Sequence, residues 1–285
     1  MLERIEKILL ADSGTGHTEE MLKMLMELPS FQAAKVTVLH VVPPQVTTEE
    51  MTRRLEEGGK VLSTAIQNLG LDANKVDPVL KQGDPKDLVV KTANETETDL
   101  IIMGSRGLKR IQSILENSVS QYVFQLASRP MLLVKDDIYV KKVNRVMAAL
   151  DKSDTSKDTL ALALSIVRDI KGGQLVLVHT NPEMKLKPGE IVGNPEEDPV
   201  LVPAIAEAKK LGISYKAIAP EGKPGERICQ VAEEMNVDLL ILGSPDRRPS
   251  IAKGLPDLDR LLGQSLSDYV RVYANCPVLL VRNPS

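Results

Sequence analysis

Short apolar runs alternate along the chain with longer stretches in which apolar positions recur at helical spacing, and the whole rhythm occurs twice. The first series reads KILLA (7–11), VTVLHVV (36–42), DPVLK (77–81), DLIIMG (99–104) and PMLLV (130–134). The second reads RVMAALD (145–151), LVLVHT (175–180), SYKAIA (214–219), DLLILG (238–243) and PVLLV (277–281). Runs of this kind predict strands buried on both faces, hence parallel sheets covered by helices. Between them, TTEEMTRRLEEGGKVLSTAIQNL (47–69), DPKDLVVKTANETE (84–97) and PGERICQVAEEMN (224–236) predict helices, the last two with proline near the first turn and acidic residues close behind. The methionine-rich EEMLKMLMEL (19–28) reads as a core-packing helix. NPEMKLKPGEIVGNPEEDP (181–199), rich in Pro, Gly and Glu, predicts an exposed loop, and the polar KDDIYVKKVN (135–144) a linker.

An offset of 139 residues superposes the two series, pairing Asp12 with Asp151, His40 with His179, Gly83 with Gly222, Pro85 with Pro224, Asp99 with Asp238 and Gly104 with Gly243. Beyond Gly104 the offset becomes 147, pairing Gly107 with Gly254, Ser118 with Ser265, Tyr122 with Tyr269 and Pro130 with Pro277. The second copy thus carries an insertion between two glycines. The expected fold is two tandem five-stranded parallel-sheet domains, 1–140 and 141–285, each α/β and Rossmann-like or flavodoxin-like with helices on both faces.

The 285 residues suffice for two domains, each able to bury a core without disulfides or metals. A formal charge of -3 and no basic block argue against a nucleic-acid partner, and with two Phe, five Tyr and no Trp there is little with which to stack bases. Cys229 and Cys276 read as buried free thiols. The charged N-terminus does not resemble a signal peptide and no run approaches membrane-spanning length, so a cytoplasmic protein with no membrane partner is expected.

Open parallel sheets collect ligands at the carboxyl ends of their strands, near the reversal of strand order. The residues there are Asp12 and Asp151 after the first strand, Val41 and Thr180 at the end of the second, and Met103, Gly104 and Gly107 or Gly243 after the fourth. Ser118 and Ser265 then open helices, with Val119, Val123 and Leu126 at helical spacing. Helix N–H groups, the helix dipole and a serine hydroxyl make an anion site, and glycines let a phosphate approach the backbone. Val41 and Met103 can sandwich a purine while Asp12 accepts from its amino group or from a ribose hydroxyl. The plainer alternative is that Asp12 and Asp151 cap the following helices. His40 and His179 read as core histidines rather than metal ligands, and His17 as a solvated loop residue. Gly14-x-Gly16 does not extend to a dinucleotide fingerprint, since Glu19 stands at the third glycine.

These residues resemble the universal stress protein family, in its tandem two-domain form. ADSG and LDKS, LHVV and VHTN, GDP and GKP, DLIIMGSRG and DLLILGS, and SRPMLLVK and NCPVLLVR carry the resemblance over nearly the whole chain. The family's nucleotide motif is Gly-x2-Gly-x9-Gly-Ser/Thr. The first copy matches it at Gly104, Gly107 and Ser118, with Asn117 in place of the third glycine. The second has ten residues between Gly243 and Gly254, and then Gln264-Ser265. The resemblance implies a stress-response protein that binds ATP through Asp12, Val41, Met103, Gly104, Gly107, Asn117, Ser118 and Val119, with any magnesium held by the phosphates. In the second copy the corresponding positions are Asp151, Thr180, Gly243, Gly254, Gln264 and Ser265. It further implies an intramolecular pseudo-dimer meeting through the fifth strands, open to further homodimerisation, and an unnamed signalling partner. No general base is apparent, so at most slow ATP hydrolysis is expected; a nucleotide-free dimerisation scaffold is the remaining alternative.

Overall fold

A computed structural model of the chain describes residues 5–105, 118–180, 192–244 and 265–282. Two compact units divide between Tyr139 and Val140. The first contains β1 (Lys7–Ala11), α1 (Thr18–Met26), β2 (Lys35–Val42), α2 (Thr48–Leu69), β3 (Val76–Gln82), α3 (Pro85–Glu95), β4 (Leu100–Ser105), α4 (Val119–Leu126) and β5 (Met131–Lys135). Its strands are parallel in the order β3-β2-β1-β4-β5, with Lys7 opposite Lys35, Ile8 opposite Leu100 and Ile101 opposite Met131. The order reverses at β1 and β4, which places the C-terminal ends of those two strands at the mouth of a crevice.

The second unit repeats the design with β6 (Arg145–Ala149), α5 (Thr155–Asp169), β7 (Gln174–Val178), β8 (Val192–Gly193), α6 (Leu201–Lys210), β9 (Ser214–Pro220), α7 (Pro224–Glu234), β10 (Leu239–Gly243), α8 (Leu266–Tyr273) and β11 (Val278–Val281). Its parallel strands run β9-β7-β6-β10-β11. The two-residue β8 adds an antiparallel edge to β9, Val192 facing Pro220. The exposed-loop expectation for 181–199 is corrected only in part of its described portion: Val192 and Gly193 join the sheet and Asp198 is buried, while Asn194, Glu196, Glu197 and Pro199 are exposed as expected.

The central strands are apolar on both faces, and Ile8, Leu9, Leu10, Ile101, Ile102 and their counterparts Leu240 and Ile241 are essentially inaccessible. Each such side chain contributes about 1.5–3 kcal/mol by leaving water. β3 departs from this expectation. Only Val76 is buried, and Leu80 is exposed, because β3 lies at the sheet edge and has α2 on one side only. On α2, Gly58, Leu62, Ala65 and Leu69 form the buried stripe; Thr47 caps its start by accepting the N–H of Glu50 (3.2 Å), and Gly70, left-handed at φ 60°, ends it. Asp84 and Pro85 open α3 in the expected manner, the carboxylate accepting the N–H of Lys86 at 2.9 Å.

The repeat extends to a polar clamp. Asp99, just before β4, accepts the N–H groups of Glu6 and Lys7, both at 2.9 Å, and Asp238, just before β10, accepts those of Asn144 and Arg145, both at 2.8 Å. Each carboxylate pins the entry of the neighbouring strand and so fixes the register of the pair that borders the crevice.

Candidate functional site

In the first unit a cleft of about 560 Å³ opens at the carboxyl ends of the strands. Asp12 and Ser13 leave β1, Leu39 to Val42 end β2, Met103 and Gly104 end β4, Val119 begins α4, and Arg54, Glu57, Gly58 and Val61 of α2 form one wall. Gly58 sets how near that wall stands: a Cβ there would lie 2.9–3.0 Å from Val42, His40 and Leu80. Among the described residues Gly104 is unobstructed, the nearest atom to a Cβ being Thr18 Cγ2 at 3.8 Å. At the other end Ser118 caps α4 by accepting the N–H of Gln121 (3.2 Å), and Val119, the first residue of that helix, borders the cleft.

Asp12 is 5% exposed. Its N–H donates to Leu39 O and its carbonyl accepts from His40 Nδ1, each at 2.9 Å, while Oδ1 accepts the N–H of Gly14 at 3.0 Å. Oδ2 is buried with no hydrogen-bond partner. Burial pushes the carboxyl above its usual range, against the opposing pull of the Gly14 N–H and of His40. Asp12 is therefore no helix cap: His17 precedes α1 and makes no capping bond with its side chain. His17 is half-buried rather than solvated, its ring edge-to-face with Tyr139 at 5.1 Å. Behind the cleft, a hollow of about 330 Å³ between the β1–α1 loop, α1 and α2 shares Asp12 and Val61 with it and is lined also by Glu19, Glu20, Lys60 and Asn68.

The corresponding region of the second unit is built differently. Asp151 is exposed and its Oδ1 accepts the N–H of Ser153 at 2.9 Å; it too fails to cap a helix, Asp154 preceding α5. A Cβ on Gly243 would lie 2.4 Å from Thr155 Oγ1, so this threonine occupies the space left open beside Gly104. Ser265 caps α8 by accepting the N–H of Asp268 (3.1 Å), and its hydroxyl donates to the Asp268 carboxylate at 2.6 Å. The first turn of the helix thus already holds a buried carboxylate, which is paired with Arg271 Nε at 3.3 Å. His179 Nδ1 meets the Asp198 carboxylate at 2.8 and 3.0 Å, and Asp198 Oδ1 also accepts the N–H groups of Val200 and Leu201.

The universal stress protein family model matches residues 4–135 and again 142–282. The chain belongs to the universal stress protein family. It is 32% identical over 135 residues to a universal stress protein of Thermus aquaticus, covering 45% of this chain and 97% of that one. A universal stress protein of Methanothermobacter thermautotrophicus is 30% identical over 146 residues, 47% of this chain and 99% of that one. The crystal structure of a universal stress protein from Archaeoglobus fulgidus superposes on 99% of this chain and 98% of its own with a TM-score of 0.74 at 22% identity, which establishes the shared fold.

Within this universal stress protein, the cleft brings together Asp12, Val41, Met103, Gly104 and Val119, with Ser118 adjoining as the cap of α4. Gly107, Asn117, Gly254 and Gln264 lie outside the described residues. Thr180 is buried with Oγ1 unpartnered among the described residues, and Gly243 and Ser265 are engaged as above. Of the helical stripe on α4, Val123 is buried but Leu126 is exposed, the helix ending there. Sequence reasoning missed Glu19, whose only visible signal was its place in the first turn after the Asp12 loop. It also missed Arg54, Glu57 and Gly58, a reach that depends on how α2 lies across β2.

Proposed function

We propose that the first unit binds an adenine nucleotide, ATP in particular, in the strand-end cleft, and that the protein acts by nucleotide-dependent binding in a stress response rather than by turnover. One observation carries this reading: a buried acceptor at Asp12, the aliphatic pair Val41 and Met103, and the N-terminus of α4 border a single cleft of nucleotide size. Asp12 would accept from the purine amino group or a ribose hydroxyl, the aliphatic side chains would flank the base, and Gly104 with the head of α4 would face the phosphates. Family membership supports the same reading. Among the described residues no group of three or more His, Cys, Asp or Glu side chains is placed to hold a metal, so magnesium would enter with the phosphates. No described helix is long and apolar enough to cross a membrane.

The second unit is not assigned a nucleotide. Thr155 stands against Gly243, and at the head of α8 the Ser265 hydroxyl is taken up by Asp268, itself paired with Arg271, so neither group is free for a phosphate there.

Mass spectrometry of the denatured purified protein tests for co-purified nucleotide, and calorimetric titration of the stripped protein tests for binding. Gly104→Val is expected to weaken ATP at least about tenfold while the protein stays folded, because Gly104 lines the cleft and an added Cβ meets no described atom closer than 3.8 Å. Wild-type protein that stays empty at millimolar ATP would overturn the proposal. ADP released over hours in stoichiometric excess would replace it with slow hydrolysis.

A further inference from the structure

We propose that Glu19 is a positioning residue for Asp12, the two carboxyl groups holding one proton between them, and that nucleotide binding in the cleft draws on that proton. The inference rests on the nucleotide reading of the cleft and adds a residue outside it.

The bonding of Asp12 leaves one gap. Its N–H, carbonyl and Oδ1 are all engaged, by Leu39, His40 and Gly14, while Oδ2 is sealed from water and unpartnered. An isolated buried carboxylate oxygen costs several kcal/mol, so a donor is required. Besides the Ser13 backbone, the group that acts on the Asp12 carboxyl from the hollow they both line is Glu19. Glu19 has one oxygen already committed: Oε2 accepts from Asn68 Nδ2 at 2.6 Å. Oε1 is left to carry a proton toward Asp12 Oδ2. One proton satisfies both groups, whereas two charges beside the buried Asp12 would repel each other.

The surrounding charges agree. His40 faces Asp12 from β2, Glu20 flanks Glu19 on α1, and Lys60 from α2 borders the hollow. Arg54 and Glu57 line the cleft from α2 but are exposed and paired with each other at 3.1 Å. Burial pushes Glu19 upward first, and Asp12 and Glu20 push it further, with Asn68 opposing; burial also pushes Asp12 upward. The pair titrates as a unit, carrying one negative charge while it keeps its proton and two once it is lost. A bound polyanion that excludes water favours the singly charged form. Binding above the pair's upper titration therefore takes up one proton, and affinity falls as pH rises.

The test uses the full chain stripped of nucleotide, with ATP as probe, titrated calorimetrically across a pH series in buffers of different ionisation heat. Wild-type affinity is expected to fall by up to roughly tenfold per pH unit above the upper titration, with uptake of one proton. Glu19→Gln should remove that dependence, since its amide donates to Asp12 at every pH, and Glu19→Ala should weaken ATP throughout. The ionisation of ATP itself is common to all three proteins, so the ratio of wild type to Glu19→Gln isolates the pair. Separately, the infrared spectrum of the ligand-free protein near neutral pH should show a protonated carboxyl band that Glu19→Gln lacks. ATP binding with a ratio independent of pH would overturn the coupling, and absence of the band would overturn the shared proton. Failure of wild-type protein to bind ATP at any pH, with the band present, would instead sink the nucleotide reading and the coupling with it.

Discussion

Asp12 is held where a carboxylate is uncomfortable, and that discomfort has a measurable sign. Burial raises its folded-state pKa above the ordinary 3.8, so the ligand-free protein is favoured below that value and loses stability as pH climbs through the raised one. Asp12→Asn keeps an oxygen for the Gly14 N–H and cannot ionise. It is expected to be more stable than wild type at neutral pH, with the difference shrinking toward zero under acid conditions, as urea midpoints across a pH series would show, and to bind ATP more weakly. The place of Asp12 at the cleft is legible in the sequence, because a residue following the first strand of an open parallel sheet faces the crevice by geometry alone. Its partner is not. Glu19 lies in a stretch whose methionines signal a packed helix, and nothing in a linear pattern says that the first turn of α1 bends its carboxyl back onto Asp12.

At the level of elements, the strand ladder was readable because apolar runs and proline-opened helices are local signals. The failures came where a neighbour decides. DPVLK looks like a buried strand until its place at the edge exposes Leu80. Most of 194–199 is solvated as its composition predicts, but Asp198 within it is drawn inside by His179 and the head of α6. The Asp99 and Asp238 clamps were visible as a repeated pair without a role. Asp99→Ala should free the N–H groups of Glu6 and Lys7, at a cost of about 1–3 kcal/mol, and speed their hydrogen exchange while leaving the amide of Arg145 unchanged; Asp238→Ala should do the reverse.

For the molecule as a whole, duplication has preserved the frame and altered the sites. The sequence showed the divergence of the second copy through its long insertion, yet the described residues locate it also in Thr155, which stands at the position of Gly16, and in Asp268, at that of Gln121. ATP titration should therefore saturate at one nucleotide per chain. At a hundredfold excess over its dissociation constant it should stabilise the protein by about 2.7 kcal/mol, read as a rise in melting temperature. Two nucleotides per chain would contradict the assignment of a single site. The methyl and hydroxyl of Thr155 then bear on the shape of the dose response: a chain that takes a single nucleotide is expected to answer ligand concentration along a hyperbola. Any steeper, threshold-like behaviour in a cell would have to come from another molecule.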